Sequence, residues 1–282
     1  MFLDISLLSA NLIVVVLESC LYGVYTVLAS CTLYLMLKRH DERRNSRHST
    51  GSGNHRSNVG ISAMRVGYVA LFLAITTHWL LNIIRLFLAF HQDDPLSAVR
   101  FYDDLSHSTE IIKYSVLVVA MFISRSLGIY NVWVIWGFRT RVIIVPIIML
   151  IGLTTFGVGL TYQLSVYTPG DSIFKAEYHR WTTGICFFGL CTAFYTTGFI
   201  WYKLWNKSQE LKSFGMISVS AQIIKIFIHS AGLLTTWGIF HIITYQYGSN
   251  IQYVALDCTP VVIGISNLLI QIRMHCDLTP LT

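Results

Sequence analysis

Seven apolar runs, each long enough to cross a bilayer as helix, are separated by short polar stretches that differ in charge from one to the next. A helical span needs about 20 mostly apolar residues. In lipid every backbone N–H and C=O must find its partner within the protein, so only helices and closed barrels cross. The runs lack the alternation, over roughly ten residues, that marks a barrel strand. The pattern therefore predicts an all-α membrane protein: one seven-transmembrane-helix bundle over 1–282, with no room for a second folded domain. Its spans cover about 14–37, 66–90, 114–136, 142–164, 181–205, 217–245 and 251–272.

Charge gives the bundle a direction. Of the 20 Lys and Arg, 14 fall in or beside alternate connections. Four (Arg100, Lys113, Lys175 and Arg180) fall on the opposite side, and Arg85 and Arg125 lie inside spans. Cytoplasmic loops carry the excess of Lys and Arg, which predicts the N-terminus outside and the C-terminus cytoplasmic. Residues 38–65 open with KRHDERRNSRHSTGSGNHRSNVG, too polar to bury a core, and are predicted to form a basic, disordered cytoplasmic loop. Only 12% of the chain is charged, where soluble domains carry about 25%. The formal charge of +6 is thus orientation information and not a nucleic-acid footprint, and no nucleic-acid partner is expected.

Ionisable residues at membrane depth cost about 2.5–3.5 kcal/mol on insertion scales and are functional candidates for that reason. Glu18, Arg85 and Asp257 fall in the outer third of spans one, two and seven, where they can form one cluster. Arg125 falls near the middle of span three, too deep to reach either surface, and must find an acceptor inside the bundle. His78 falls at a similar depth on span two, and His229 in the inner half of span six. His78, Asn82 and Arg85 align on one helical stripe, and Asp257, Pro260, Gly264, Asn267 and Gln271 on another. These seven residues (Glu18, Arg85, Asp257, Arg125, His78, Asn82, His229) are the candidate ligand-binding or polar network. Pro146 and Pro260 are candidate kinks. The small-residue stripe Thr182, Cys186, Gly189, Ala193 and Thr196 is a predicted packing seam.

Catalytic and metal chemistry find no pattern here. The six cysteines make no C-x-x-C pair, and His78, His229 and Asp257 lack paired metal-ligand spacing. Nucleotide, hydrolase and metalloprotease motifs are missing. The expectation is a non-enzyme with no cofactor and no metal. A retinal pigment is disfavoured, because span seven has no lysine. The rhodopsin-like receptor class is disfavoured too: the inner end of span three reads Asn131-Val-Trp-Val-Ile-Trp-Gly, and span seven reads Thr259-Pro-Val-Val-Ile-Gly.

Five stretches in order carry a family likeness: Glu18-Ser-Cys-Leu-Tyr-Gly-Val-Tyr, His78-Trp-Leu-Leu-Asn-Ile-Ile-Arg85, and Ile129-Tyr130 before Val134-Ile-Trp136-Gly; then Pro169-Gly-Asp with Arg180-Trp181, and Leu256-Asp257-x-x-Pro260-x-x-Ile-Gly264. Together they resemble an uncharacterised family of seven-transmembrane-helix membrane proteins of basidiomycete fungi, over nearly the whole chain. The resemblance implies architecture and no activity. The chain departs from the family at Arg125, where an acid is expected, at Asn131, where an Arg is expected, and at His229, where a Glu is expected.

The reading that follows is an integral multi-pass membrane protein of receptor-like seven-helix topology, placed in the plasma membrane. Its outer cluster borders a cavity for an unknown ligand, and its basic inner loops meet a cytoplasmic signalling protein. One alternative is a transporter or channel lined by Arg125, His78 and His229. A second is a scaffold or lipid-interacting protein whose basic first loop holds anionic headgroups. The lipid bilayer is a partner in all three.

Overall fold

The computed structural model describes the backbone of residues 5–50, 55–91, 95–167, 176–213 and 217–276, and the side chains of 5–38, 64–91, 97–167, 178–203, 205–206, 209 and 232–272. The described residues are helical, with no strand among them. The helices are α1 (Leu7–Thr50), α2 (His55–Ala89), α3 (Pro95–Asp103), α4 (Ser108–Ile135), α5 (Ile144–Ser165), α6 (Ala176–Ser213), α7 (Ile217–Gln246), α8 (Ile251–Asp257) and α9 (Thr259–Cys276), with a single 3-10 turn, Thr140–Val142. Among the described residues, five helical segments are long and apolar enough to cross a membrane: Leu7–Lys38, Met64–Ala89, Ser108–Ile135, Ile144–Ser165 and Tyr178–Lys203. The pair α8 and α9, bent by 41° at Cys258, makes a sixth if it is one broken span. α7 is 30 residues long, but the side chains of its first half lie outside the described residues.

Large apolar side chains face outward along these helices, among them Val16, Val27, Phe87, Ile148, Ile151 and Phe187. In water such a surface would aggregate. In hydrocarbon it is solvated. The interior holds two main clusters. Tyr25, Leu71, Ile75, Val261, Ile265 and Leu268 join α1, α2 and α9. Leu117, Met121, Leu153, Leu160 and Ile185 join α4, α5 and α6. Small residues set the closest approaches: a Cβ on Gly184 would collide with Phe156, and one on Gly159 with Trp181, so α5 and α6 interlock through glycine.

Glycine also ends two helices. After α4, Gly137 (φ 65°) and Phe138 (φ 62°) turn left-handed. The Phe138 N–H donates to Trp133 O at 2.9 Å, and the Gly137 N–H donates to Val134 O at 3.1 Å. This is a Schellman cap, and the Phe138 ring packs edge-on against Trp133, as that motif favours. Gly248 (φ 62°) closes α7 in the same way, with Ser249 N–H on Thr244 O.

Two of three local expectations change. Pro146 lies in the first turn of α5, where no intrahelical N–H is lost, so it makes no kink. Pro260 does mark a bend, in the first turn after the α8–α9 break. Where composition predicts an unstructured loop at 38–65, the backbone continues α1 to Thr50 and resumes in α2 at His55. Lys, Arg and Glu are good helix formers, and adding turns to an existing helix avoids the nucleation cost. Residues 51–54 lie outside the described residues.

Candidate functional site

Seven polar side chains from α1, α2, α4 and α8 converge near the end of the bundle where α1 and α4 begin. Glu18, His78, Asn82, Arg85, Glu110, Lys113 and Asp257 are all buried. Each stands on the inward stripe of its helix: His78, Asn82 and Arg85 share one face of α2, and Glu110 and Lys113 lie one turn apart on α4.

The contacts form one chain. Asn82 Nδ2 donates to Glu18 Oε2 at 2.6 Å, and His78 Nδ1 lies 2.8 Å from Glu18 Oε1. Because the Glu18 oxygen is an acceptor when ionised, Nδ1 carries the proton. That leaves Nε2 toward Asp257 Oδ1 at 3.9 Å, beyond hydrogen-bond distance, with both atoms buried and unpartnered. The other Asp257 oxygen, Oδ2, accepts from Lys113 Nζ at 3.1 Å. Lys113 Nζ also pairs with Glu110 Oε1 at 3.1 Å, and Arg85 Nε with Glu110 Oε2 at 2.8 Å. Arg85 closes the chain by donating to Thr109 Oγ1 at 2.8 Å.

Local structure explains the α4 and α3 members. His107 caps α4 by accepting from the Thr109 N–H, and Glu110 follows in the first turn, where the helix dipole favours an acid. α3 folds back over this end and sets Phe101 and Tyr102 against the Arg85 guanidinium, at 5.0 and 5.7 Å from the ring centroids. Burial pushes the Tyr102 phenol up to about 12, against a smaller opposing pull from Arg85, so it stays neutral.

Three carboxylates face two fixed cations in this chain. With neutral His78 one negative charge is left over, and the His78 lone pair faces an Asp257 oxygen across the 3.9 Å gap. A protonated His78 would cancel that charge and donate from both ring nitrogens. Pairing of this kind offsets the cost of ions in a low-dielectric interior only when every member is satisfied.

The predicted residues divide into three groups. Glu18, His78, Asn82, Arg85 and Asp257 belong to the network, although Glu18, Arg85 and Asp257 make no direct contact with one another. His78 joins this outer cluster and not Arg125: Arg125 lies twelve residues beyond Lys113 on α4, about 18 Å along the helix. Arg125 Nε is buried with no hydrogen-bond partner among the described residues. The His229 side chain lies outside the described residues. Glu110 and Lys113 were missed because the outer connection was extended to Tyr114. Their signal is the stripe Glu110, Lys113, Tyr114, Leu117, Met121 and Ser124, which runs unbroken into the buried face of α4.

Beside the network, Tyr114, Tyr253 and Leu256 help to line a cavity of about 40 Å³ that extends toward His241 and Thr182. That volume holds a few waters, against several hundred Å³ for a typical small-molecule site. Elsewhere the polar residues serve packing: Asn267 Nδ2 donates to Ser124 Oγ at 2.6 Å, and Tyr68 O–H to Gln271 Oε1 at 3.2 Å. The α6 seam buries Thr182, Cys186, Ala193 and Thr196, with Cys186 Sγ 3.5 Å from His241 Nδ1. Among the described residues no His, Cys, Asp and Glu cluster has the form of a metal site. No family model, curated protein or solved structure matches the chain.

Proposed function

We propose that this multi-pass membrane protein is a receptor-like seven-helix bundle with its N-terminus outside, in which the buried ion chain is a latch between α1, α2, α4 and α8. The observation that carries the reading is that two sets of charge-assisted contacts, both anchored on α2, tie four helices together at one end, with α3 laid over it. A ligand or partner acting at that end changes all four helices at once, because losing one member leaves another charge buried and unpaired. The cavity of about 40 Å³ beside the latch is too small for a ligand of ordinary size, so ligand binding requires the latch to open. α7 supplies the seventh span, and the motifs that resemble the fungal seven-span family support the same architecture. The basic ends of the inner connections meet the cytoplasmic signalling protein, and the plasma membrane is the expected site.

The test is nucleotide exchange on added G proteins by the protein reconstituted in vesicles. Glu18→Gln and Asp257→Asn, which weaken the latch, should raise basal exchange above wild type. Exchange that stays at the protein-free rate for wild type and both variants would count against a receptor.

A second reading rests on the open His78–Asp257 contact. Two buried, unpartnered polar atoms 3.9 Å apart, in a chain one positive charge short of balance, have the makings of a proton site in a transporter. Glu18 on α1, Asn82 and Arg85 on α2, Glu110 and Lys113 on α4, and Asp257 on α8 all bear on the His78 charge. Proton flux into vesicles that His78→Gln abolishes would favour this reading over the first.

A further inference from the structure

At the opposite end of the bundle, the structure holds a second and larger hollow. Trp136, Met149, Cys191, Phe194, Tyr195 and Tyr202 help to line a groove of about 610 Å³ that opens on the outward face of α5 and α6. Its wall is mostly apolar; of its two phenols, Tyr195 O–H is already committed to Val142 O at 2.9 Å, and Tyr202 lies at one end of the groove. From Cys191 to Tyr202 the groove follows eleven residues of α6, about 16 Å at the helical rise. That is half the thickness of a hydrocarbon core of about 30 Å, the depth of one leaflet.

The mouth of the groove is charged with one sign. Trp136 and Tyr202 stack there with ring centroids 6.2 Å apart, and Lys203 Nζ stands 5.6 Å over the Trp136 ring. Arg139 and Arg141 follow in the turn that leads to Val142, and all three basic side chains are exposed. Residues 136–149 and 191–206 contain no Asp or Glu, and among the described residues none of the three cations has an ion-pair partner. Gly198 leaves the wall open, because a Cβ placed on it meets nothing within 4 Å.

We propose that this groove binds an anionic glycerophospholipid, with one acyl chain laid along α6 and the headgroup phosphate on Arg139, Arg141 and Lys203. An acyl chain fits a leaflet-deep apolar groove that opens toward lipid. The aromatic pair sits where the glycerol backbone meets hydrocarbon. The three cations select headgroup charge, at about fivefold per basic residue near an anionic surface, and on the order of a hundredfold together at most.

The test is native mass spectrometry of the full chain, taken from detergent after equilibration with equimolar phosphatidylcholine and phosphatidylserine. Wild type should retain one phosphatidylserine in preference to phosphatidylcholine. Replacing Arg139, Arg141 and Lys203 together by Gln should bring that preference down toward unity, while one lipid is still held. Gly198→Leu, which fills the groove and improves helix propensity, should lose both lipids without lowering the melting temperature in lipid-free detergent. Equal retention of the two lipids by wild type would overturn the proposal. So would full retention by Gly198→Leu, or a lipid-free dimer of wild type that this substitution disperses.

Discussion

Lys113→Met is the sharpest perturbation of the ion chain, because Lys113 joins its two halves. The ammonium is almost wholly buried, 3.1 Å from Glu110 Oε1 and 3.1 Å from Asp257 Oδ2. Once it is removed, Glu110 keeps Arg85 at 2.8 Å, so only one carboxylate is orphaned. Asp257 keeps nothing closer than His78 Nε2 at 3.9 Å. Breaking a buried pair from one side costs about 3–5 kcal/mol, and the surviving Glu110–Arg85 pair puts this case near about 3 kcal/mol. Methionine keeps the apolar stem and its packing, so the loss is electrostatic. On the scale of soluble domains, a melting temperature in detergent should fall by at least about 6 °C. Asp257→Asn in the Lys113→Met background should restore part of that loss, because the orphaned charge is then gone. The coupling in the double-mutant cycle should be about 1–3 kcal/mol. Unchanged melting for Lys113→Met, or strict additivity of the two substitutions, would refute the claim that these charges hold the helices together.

Other expectations follow from single contacts. Trp237 Nε1 donates to Ala255 O at 3.0 Å and Thr259 Oγ1 at 3.1 Å, across the α8–α9 break, so Trp237→Phe should cost about 1–2 kcal/mol in thermal melting. Loss of nothing measurable would mean that the break is held by packing alone. Gly184→Val drives a side chain into Phe156 and should destabilise by about 1–3 kcal/mol. Gly23→Ala, which meets nothing within 4 Å, should be neutral or stabilising by up to about 1 kcal/mol. Both are read by melting in detergent, and a reversed order would contradict the described α5–α6 contact.

The apolar spans were legible in the sequence because a bilayer demands length and apolarity that nothing else in the chain imitates. The runs read at about 14–37, 66–90, 114–136, 142–164 and 181–205 reappear as helical segments, with the first and third extended by several residues at their starts. Gly137 and Gly248 end α4 and α7, since glycine supplies the left-handed cap. The site was legible in part. The stripe of His78, Asn82 and Arg85 follows from helical spacing, whereas Glu110 and Lys113 read as outer-loop charge until α4 is seen to start at Ser108. α3 was hidden because nine residues opened by a proline look like a loop, and only its packing over Arg85 reveals a helix. His78, read beside Arg125, instead contacts Glu18 at 2.8 Å and faces Asp257 at 3.9 Å, a pairing that spacing along one helix does not reveal.

The receptor reading stands on seven crossings, and parity tests that number directly. An odd count puts the two ends of the chain on opposite sides of the membrane, and six crossings would put them on the same side. Epitope tags at residues 1 and 282, probed with a membrane-impermeant antibody on intact and on permeabilised cells, measure this. The N-terminal tag should stain on intact cells and the C-terminal tag only after permeabilisation. Both tags stained under the same condition would contradict the seven-helix topology and the orientation on which the proposed function depends.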